Sequence, residues 1–500
     1  MNLNKLLEGL EIQETVNNLN LDITNIHSDS RKIKQNGLFV AINGYSQNGI
    51  DYLDKAIQNG AIAAIIENDV NISNLPNSIT YIKVNNTRKA LAITSCNLYD
   101  NPSKKFKLIG VTGTKGKTTT TFMIKSLLEN HGLKVGLIGS IAVYIGNEKI
   151  EDTDRTTPES IEIQKHFAKM VEENVDVAII EVSSQALKLE RVTGCDFDIG
   201  VFTNLTEDHI SKNEHSDMEE YFNCKCMLFD MCHTGFINAD DATVVTIKNK
   251  NKTCKFKTFG IENNADIIAD EKTLKITPNY IDFTIHIDNK NENFEVPIPG
   301  KFSVYNSLGA ISVAHEFGVT PDEMRQALKD LKVLGRNELV PNKLGLTILI
   351  DYAHTPSSLE SILESVKSYA KGRVICAWGV GGDRDSKKRP IMGEISGRLA
   401  DYTILMSDQV RTEDPLKILQ DIEVGVKKSG GDYTIIVDRT EGIKHALEIA
   451  TPEDIIVIPG LGHDLYLERN HVKYPYDERK VIAELIDEMI ESGEKTLVHN

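Results

Sequence analysis

The 500 residues include 73 Asp and Glu against 56 Lys and Arg, a formal net charge of −17. No basic stripe interleaved with aromatics offsets it, which argues against nucleic acid as a partner. The length exceeds what one hydrophobic core fills and implies several domains of roughly 100 to 200 residues, and no stretch approaches the ~18 to 20 apolar residues that span a bilayer.

The start, MNLNKLLEGLEIQETV, lacks a cationic segment followed by an apolar core, so a cytoplasmic protein is expected. The seven cysteines, at 96, 195, 224, 226, 232, 254 and 376, form no C-x-x-C pair. Reduced thiols are expected in place of a disulfide framework or a zinc ribbon.

In chain order, residues 1–102 mix short apolar runs (GLFVAI, AIAAII, ITYIKV) with helical patterns such as DYLDKAIQNGA, which reads as a small α/β domain. From KKFKLIGVTGTKGKTTTTFMIKSLLENHGLKVGLIGS the rhythm becomes strand, glycine turn, helix, strand. That unit opens a doubly wound domain over 103–334, continued by VDVAIIEVSS and FDIGVFTNL. Between 254 and 298, KFKTFGI, ADIIA, TLKITP, YIDFTIHI and NFEVPI predict short alternating strands ahead of the helix SVYNSLGAISVAHEFG. A third domain, 335–500, restarts the parallel pattern with LTILIDYAHTP, GRVICAWGVGG, DYTILMSD, YTIIVD and DIIVIPG. The predicted fold class is α/β in three domains: a central P-loop doubly wound ATPase domain, an N-terminal α/β domain and a C-terminal Rossmann-like domain.

TGTKGKTT, residues 112–119, follows an apolar strand and opens a helix, where backbone N–H groups and the helix dipole draw an anion. Lys117 is placed to reach terminal phosphates and Thr118 to ligate Mg²⁺. The spacing departs from G-x-x-x-x-G-K-[ST], because the position five before Gly116 is Val111. Glu181 closes the run VDVAII at the carboxyl end of a strand, where open α/β sheets gather ligands, and is the natural carboxylate for a metal. Read blandly, the loop is a Gly/Thr turn and Glu181 a surface acid.

Cys224-Lys225-Cys226 lies in DMEEYFNCKCMLFDM, residues 217–231, which reads as one helix. Met218, Tyr221, Phe222, Lys225, Leu228 and Phe229 share a face, whereas the two cysteines point about 100° to either side of Lys225 and cannot form one two-thiol site with it. A lysine among apolar side chains tends toward the neutral amine, the form that reacts with CO₂. The alternative is a lysine that snorkels to solvent over its buried stem.

TGTKGKTT, EVSSQALKLERV, FTNLTEDHI, LGRNEL, DYAHTPSSLE and GGDRDSKKRPIMG, in that order, closely resemble the Mur ligases, ATP-dependent amide-forming enzymes of peptidoglycan precursor synthesis. HSDSRKIKQNGLFVAING and SDQVRTEDP point to the UDP-N-acetylmuramoyl-tripeptide synthetase branch. The resemblance implies an N-terminal UDP-MurNAc-binding domain, a central ATP-binding domain and a C-terminal domain that selects an amino acid. It further implies phosphorylation of the D-Glu side-chain carboxylate of UDP-MurNAc-L-Ala-D-Glu by ATP, then attack on the acyl phosphate by a free amino acid, in a cytoplasmic monomer.

Residue by residue, the resemblance assigns Thr112, Gly113, Thr114, Lys115, Gly116, Lys117, Thr118 and Thr119 to the triphosphate, and Asn306, Arg336 and Asp351 to the adenine and ribose side. Thr118, Glu181, His209 and Lys225, the last as a CO₂-derived carbamate (N6-carboxylysine), are implied ligands of Mg²⁺. Lys117, Lys225, His209 and His354 are the implied catalytic residues. Ser28, Ser30 and Arg31 match the segment that meets the nucleotide sugar, although SDSR alone reads as a helix cap or polar turn. Thr156, Thr157, Ser183, Ser184 and Arg191 match the grip on the muramoyl dipeptide.

The amino-acid site departs from the family pattern. Relatives that add meso-diaminopimelate typically show D-N-P-R, whose arginine reads the distal carboxylate; this chain has Asp408-Gln409-Val410-Arg411. The usual G-K-G-H-E appears as Gly460-Leu461-Gly462-His463-Asp464, with the acid one methylene shorter. Arg389 is expected to be a second cation for the α-carboxylate. Arg411 favours diaminopimelate, and alternatively pairs with Asp408 or Asp414. L-Lysine or another diamino acid, a related amide ligase, and a non-catalytic UDP-muramoyl-binding paralogue stay open.

Overall fold

A computed structural model describes residues 1–44, 47–208, 210–211 and 214–496. The chain divides into two compact units, Met1–Ile267 with Leu308–Met324, and Ile268–Ser307 with Arg325–Asn500.

The first unit opens with a five-stranded sheet. Asn25–His27, Gly37–Val40, Ala61–Glu67 and Thr80–Val84 run parallel, and Ile12–Val16 closes the edge antiparallel to Thr80–Val84. Continuous apolar runs such as AIAAII suit strands covered on both faces. One face packs Leu38, Ala63 and Ile65 with Leu3, Leu6 and Leu91, and the other packs Phe39, Ala64 and Tyr81 with Leu53 and Ala56.

The same unit holds the second sheet. Its strand order is Lys255–Gly260, Cys232–Asn238, Phe197–Phe202, Lys107–Thr112, Val177–Glu181, Val135–Ile138, all parallel, followed by the antiparallel pair Ala142–Ile145 and Glu148–Asp152. The chain moves outward in opposite directions from Lys107–Thr112. That strand is therefore the switch point, and the crevice beyond its carboxyl end is where such sheets take ligands. The terminal hairpin Ala142–Asp152 was not foreseen from sequence, because its outer strand is mostly exposed and shows no apolar alternation.

Helix Met218–Asp230 starts at Asp217, whose carboxylate accepts from the Glu220 N–H at 2.8 Å. Its face is the expected one: Tyr221, Phe222, Lys225, Leu228 and Phe229 are buried. All seven cysteines are buried and unbridged, in line with the expected free thiols.

In the second unit, Thr347–Asp351, Ile455–Pro459, Val374–Trp378, Tyr402–Leu405 and Tyr433–Ile435 form a parallel sheet in that order, edged by the antiparallel Glu338–Leu339. Alternate residues feed two cores. Leu349, Cys376, Trp378, Leu405 and Val457 pack with helices Pro356–Lys367, Lys388–Leu399 and Pro415–Ser429. Ile348, Ile350, Ile375, Ile404 and Ile458 pack with helices Arg439–Ile449 and Glu478–Glu491. This is the expected Rossmann-like unit. The strands foreseen between 254 and 298 form as well, with Ile281–Ile287 antiparallel to Lys290–Val296 and Phe283 opposite Phe294. The hairpin Tyr466–Arg469/Val472–Pro475 was unforeseen; its second strand is fully exposed and carries no apolar period.

Gly110 sits mid-strand, where an added Cβ would lie 2.7 Å from the Phe197 ring and 3.0 Å from Leu228 Cδ1, both side chains wholly buried. Gly110→Ala should overpack this core and lower unfolding stability by about 1–3 kcal/mol, measured by denaturant titration.

Candidate active site

The loop after strand Lys107–Thr112 is built for close approach. Val111 is wholly buried within the strand, so the loop's first glycine is Gly113, at φ 149°, where a Cβ would lie 1.9 Å from Thr203 Oγ1. This explains the departure from the common spacing: the position that would carry glycine is core strand here. Gly116, at φ 82°, caps helix Lys117–Asn130. Segment FTNL staples the loop. Asn204 accepts from the Lys115 N–H (2.9 Å), its amide donates to the Lys115 carbonyl (3.1 Å), and Thr203 Oγ1 donates to that carbonyl (2.6 Å). Lys117 Nζ folds back onto the carbonyls of Gly113 (2.8 Å) and Thr114 (3.1 Å), over the mouth of the loop.

Across the crevice, Thr118 Oγ1 donates to Glu181 Oε2 at 2.9 Å. Ser140, from the end of the neighbouring strand, donates its backbone N–H to Glu181 Oε1 (2.9 Å) and its hydroxyl to Oε2 (3.1 Å). A Cβ at Gly139 would strike Glu181 Oε1 at 2.3 Å, so glycine is required for the carboxylate to lie there. A hydroxyl and a carboxylate at a helix N-terminus form the hard oxygen set that Mg²⁺ takes, with phosphate and water completing the shell, so these residues fit that ion. His209 lies outside the described residues. Among the described residues no cluster of three His, Cys, Asp or Glu forms a fuller metal cage.

Of the residues matched to the dipeptide grip, Thr157 bonds the Glu181 backbone and Thr156 is linked to its carboxylate through Ser140. Thr157 Oγ1 donates to the Glu181 carbonyl (2.8 Å) and accepts from the Ser183 N–H (3.0 Å). Ser140 Oγ donates to Thr156 Oγ1 at 3.0 Å. Arg191 donates to the Thr157 carbonyl (3.1 Å) and pairs with Glu159 (2.9 Å), while Ser184 Oγ meets His215 Nε2 at 2.9 Å.

Lys225 is 1% exposed, and its Nζ lies 4.3 Å from the centre of the Tyr221 ring, whose hydroxyl donates to Thr114 Oγ1 at 3.0 Å. Burial first, and then the nearby charge of Lys117, hold its pKa well below the ordinary lysine value. The lysine does not snorkel; its amine is buried against the Tyr221 ring, where burial disfavours the charged form.

In the N-terminal sheet, Asp29 caps the short helix Ser30–Lys32 and pairs with Arg31 at 2.8 Å, Ser30 is buried, and Ser28 is half-buried. The bland reading of SDSR as a cap thus holds locally, with the Arg31 side chain exposed.

Within the second unit, the Arg336 guanidinium lies 4.8 Å over the Tyr352 ring, and Asp351 accepts from the backbone N–H groups of Asn337 (2.7 Å) and Ala353 (2.8 Å). His354 is exposed beside the same ring, at 4.7 Å between centroids. Asn306 is buried on helix Lys301–Glu316. Gln409 donates to Asp464 Oδ2 at 2.6 Å, and Gly460 leaves room for Asp408, whose Oδ2 a Cβ would strike at 2.3 Å. Arg411 donates to the Gly382 carbonyl (2.6 Å) and pairs with Glu468 (3.2 Å), not with Asp408 or Asp414.

Three family models match the chain in order: "Mur ligase family, catalytic domain" over residues 22–99, "Mur ligase middle domain" over 111–314, and "Mur ligase, glutamate ligase domain" over 335–462. The chain belongs to the Mur ligase family. A UDP-N-acetylmuramoyl-L-alanyl-D-glutamate–2,6-diaminopimelate ligase of Clostridium botulinum is 44% identical over 98% of this chain and 100% of its own length. One of the same name from Caldanaerobacter subterraneus is 42% identical over 98% and 99%. A solved structure of that name superposes with a TM-score of 0.70 at 28% identity, covering 98% of this chain and 99% of the other. MurF from Acinetobacter baumannii, at 16% identity and TM-score 0.63 over 97% of this chain and 98% of the other, shares the fold.

Against this Mur ligase frame one expectation needs correction. Arg389 is only 2% exposed, and its guanidinium is matched by Glu413 (2.7 Å) and Asp421 (2.9 Å), so it is a framework cation and not a free one for an α-carboxylate. Among the described residues Arg384, in the same segment, is exposed and carries no ion pair. Ser140, Thr203 and Asn204 were missed as supports, since the groups they hold lie far away in the chain and carry no local signal: 41 residues separate Ser140 from Glu181, 88 separate Thr203 from Lys115 and 89 separate Asn204 from Lys115.

Thr157→Val keeps the shape but removes the hydroxyl shared by Glu181 and Ser183. It should cost about 1–3 kcal/mol of unfolding stability, read by thermal or denaturant melts.

Proposed function

We propose that this Mur ligase joins meso-2,6-diaminopimelate to UDP-MurNAc-L-Ala-D-Glu, converting ATP to ADP and phosphate through an acyl phosphate on the D-Glu side chain. The observation that carries the reading is end-to-end kinship: relatives at 42 to 44% identity, aligned over 98% of this chain, are all named as 2,6-diaminopimelate ligases. The geometry supports the chemistry. A phosphate donor and a carboxylate are both anionic, so the reaction calls for placed cations and N–H donors more than for a protein nucleophile.

In this reading Gly113 to Thr119 cradle the triphosphate, and Lys117 exchanges its loop carbonyls for phosphate oxygens as the reacting groups close. Thr118, Glu181 and His209 would hold Mg²⁺, which supplies charge neutralisation between phosphate and carboxylate. The Lys225 amine, neutral by burial, attacks CO₂, releases one proton, and becomes a carbamate whose oxygens extend the same ligand set. Carbamylation turns a misplaced cation into an anion beside the metal. Thr156, Thr157, Ser183, Ser184 and Arg191 orient the muramoyl dipeptide, Ser28, Ser30 and Arg31 meet the nucleotide sugar, and Asn306, Arg336 and Asp351 meet the adenine and ribose. His354 stands near the amino-acid segment. Arg411, held by Gly382 and Glu468, faces the distal carboxylate of the amino acid, with Arg384 as the available second cation and Asp464 for an ammonium group.

Incubating the protein with MgATP, UDP-MurNAc-L-Ala-D-Glu and equimolar meso-diaminopimelate, L-lysine and L-ornithine should yield a tripeptide mass carrying diaminopimelate; absence of every tripeptide would sink the ligase reading. Lys225→Ala should lose at least about 100-fold in kcat and regain part of it with added acetate or propionate. ¹³C-bicarbonate should label wild type and not the variant, giving a carbamate carbon resonance. Undiminished turnover of Lys225→Ala would exclude the role.

A further inference from the structure

One imidazole stands between the residues matched to the muramoyl dipeptide and the phosphate loop. His215 precedes helix Met218–Asp230, is 1% exposed, and meets Ser184 Oγ through Nε2 at 2.9 Å. Its ring packs on that of Tyr221, with 5.1 Å between centroids, and the Tyr221 hydroxyl donates to Thr114 Oγ1 at 3.0 Å. No motif marks the contact, since 31 residues separate His215 from Ser184.

We propose that His215 is a positioning residue for the muramoyl substrate, fixing the Ser184 hydroxyl so that its oxygen faces the dipeptide. The inference rests on the ligase reading given above and on the place of Ser184 in the dipeptide grip. The backbone of His215 is held first. The Ser211 N–H donates to its carbonyl at 3.1 Å, and Lys188 Nζ, from the short helix that Ser184 opens, donates to the Glu214 carbonyl at 2.7 Å.

The ring is oriented next. Lys188 also pairs with Glu220 at 2.8 Å; that bond, with the Ser216 N–H at 2.7 Å, keeps the Glu220 carboxyl down at about 2. The resulting carboxylate stands 3.8 Å from His215 Nδ1 and draws the ring proton to that nitrogen. Nε2 is then the acceptor, and the Ser184 O–H points at it. A serine whose proton is committed to one partner presents its lone pairs in a fixed direction, where they accept from an amide N–H of the dipeptide. A freely rotating hydroxyl would give the substrate no such direction, and a buried site makes the lost bond more costly than it is in water.

The test is steady-state kinetics of the full-length enzyme with MgATP, UDP-MurNAc-L-Ala-D-Glu and meso-diaminopimelate. H215F and H215L remove Nε2 and should each raise KM for UDP-MurNAc-L-Ala-D-Glu about tenfold while leaving KM for ATP within about twofold. H215Q returns an amide within reach of Ser184 and should stay within about threefold of wild type. In an S184A background H215L should change the KM for the muramoyl substrate by less than about twofold, because the bond it removes is already gone. An unchanged KM for that substrate in H215F or H215L, an equal rise in both KM values, or additive losses with S184A would leave His215 a core histidine and overturn the proposal. Should neither apolar variant fold, H215Q decides alone: a value near wild type keeps the role and a tenfold rise overturns it. If wild type makes no tripeptide, the ligase reading falls, and Kd for UDP-MurNAc-L-Ala-D-Glu, measured by calorimetry on the same proteins, decides the positioning role by the same ratios. Absence of that binding to wild type overturns both.

Discussion

A single hydrogen bond, Thr118 Oγ1 to Glu181 Oε2 at 2.9 Å, ties the first turn of the phosphate-loop helix to the end of the adjacent parallel strand. Much of the surrounding architecture exists to keep those two oxygens together. Gly139 clears space for the carboxylate, Ser140 donates to it twice, and Thr157 holds the backbone behind it. A parallel sheet delivers this at low strain, because its carboxyl ends all open on one side and short loops carry the donors. Thr118, Ser140, Thr156, Thr157, Ser183 and Arg191 are joined to Glu181, directly or through one another, by hydrogen bonds at these strand ends.

The buried lysine follows a related logic. An ammonium group taken from water without a carboxylate partner is costly, and in practice the group gives up its proton. Here the arene of Tyr221 and the charge of Lys117 sit nearby, and neither replaces hydration of a second cation. As packing, the arrangement makes little sense. The proposed carbamate would account for a lysine kept in register with Tyr221, Phe222, Leu228 and Phe229 on this helix face.

Periodicity made the helix at 218–230 and its lysine legible, and apolar runs bounded by glycine made the parallel strands legible, since both signals are local. Exposed edge hairpins such as Tyr466–Pro475 offered no alternation to read. Long-range supports were invisible for a different reason. Asn204 and Ser140 are ordinary polar residues until folding brings Lys115 and Glu181 to them. Arg389 misled because sequence shows a cation without its counter-ions; Glu413 and Asp421 approach from a later loop and helix.

The altered third-domain motifs alone would equally suit a binding protein that had lost turnover. Their geometry argues otherwise. Leu461, in place of the usual lysine, is 1% exposed, so the substitution exchanges a cation that would need burial for a side chain that fits the core. Arg411 has lost the preset of a preceding proline, yet its backbone is fixed by the Arg411 N–H to Glu468 carbonyl bond (3.0 Å) and the Asn470 N–H to Arg411 carbonyl bond (2.8 Å). The hairpin thus holds the Arg411 backbone where no proline precedes it. Asp464, bonded to Gln409, and Arg411, held by Gly382 and Glu468, therefore stand at defined positions, an acid and a cation of the kind that the proposed diamino acid with a second carboxylate would meet.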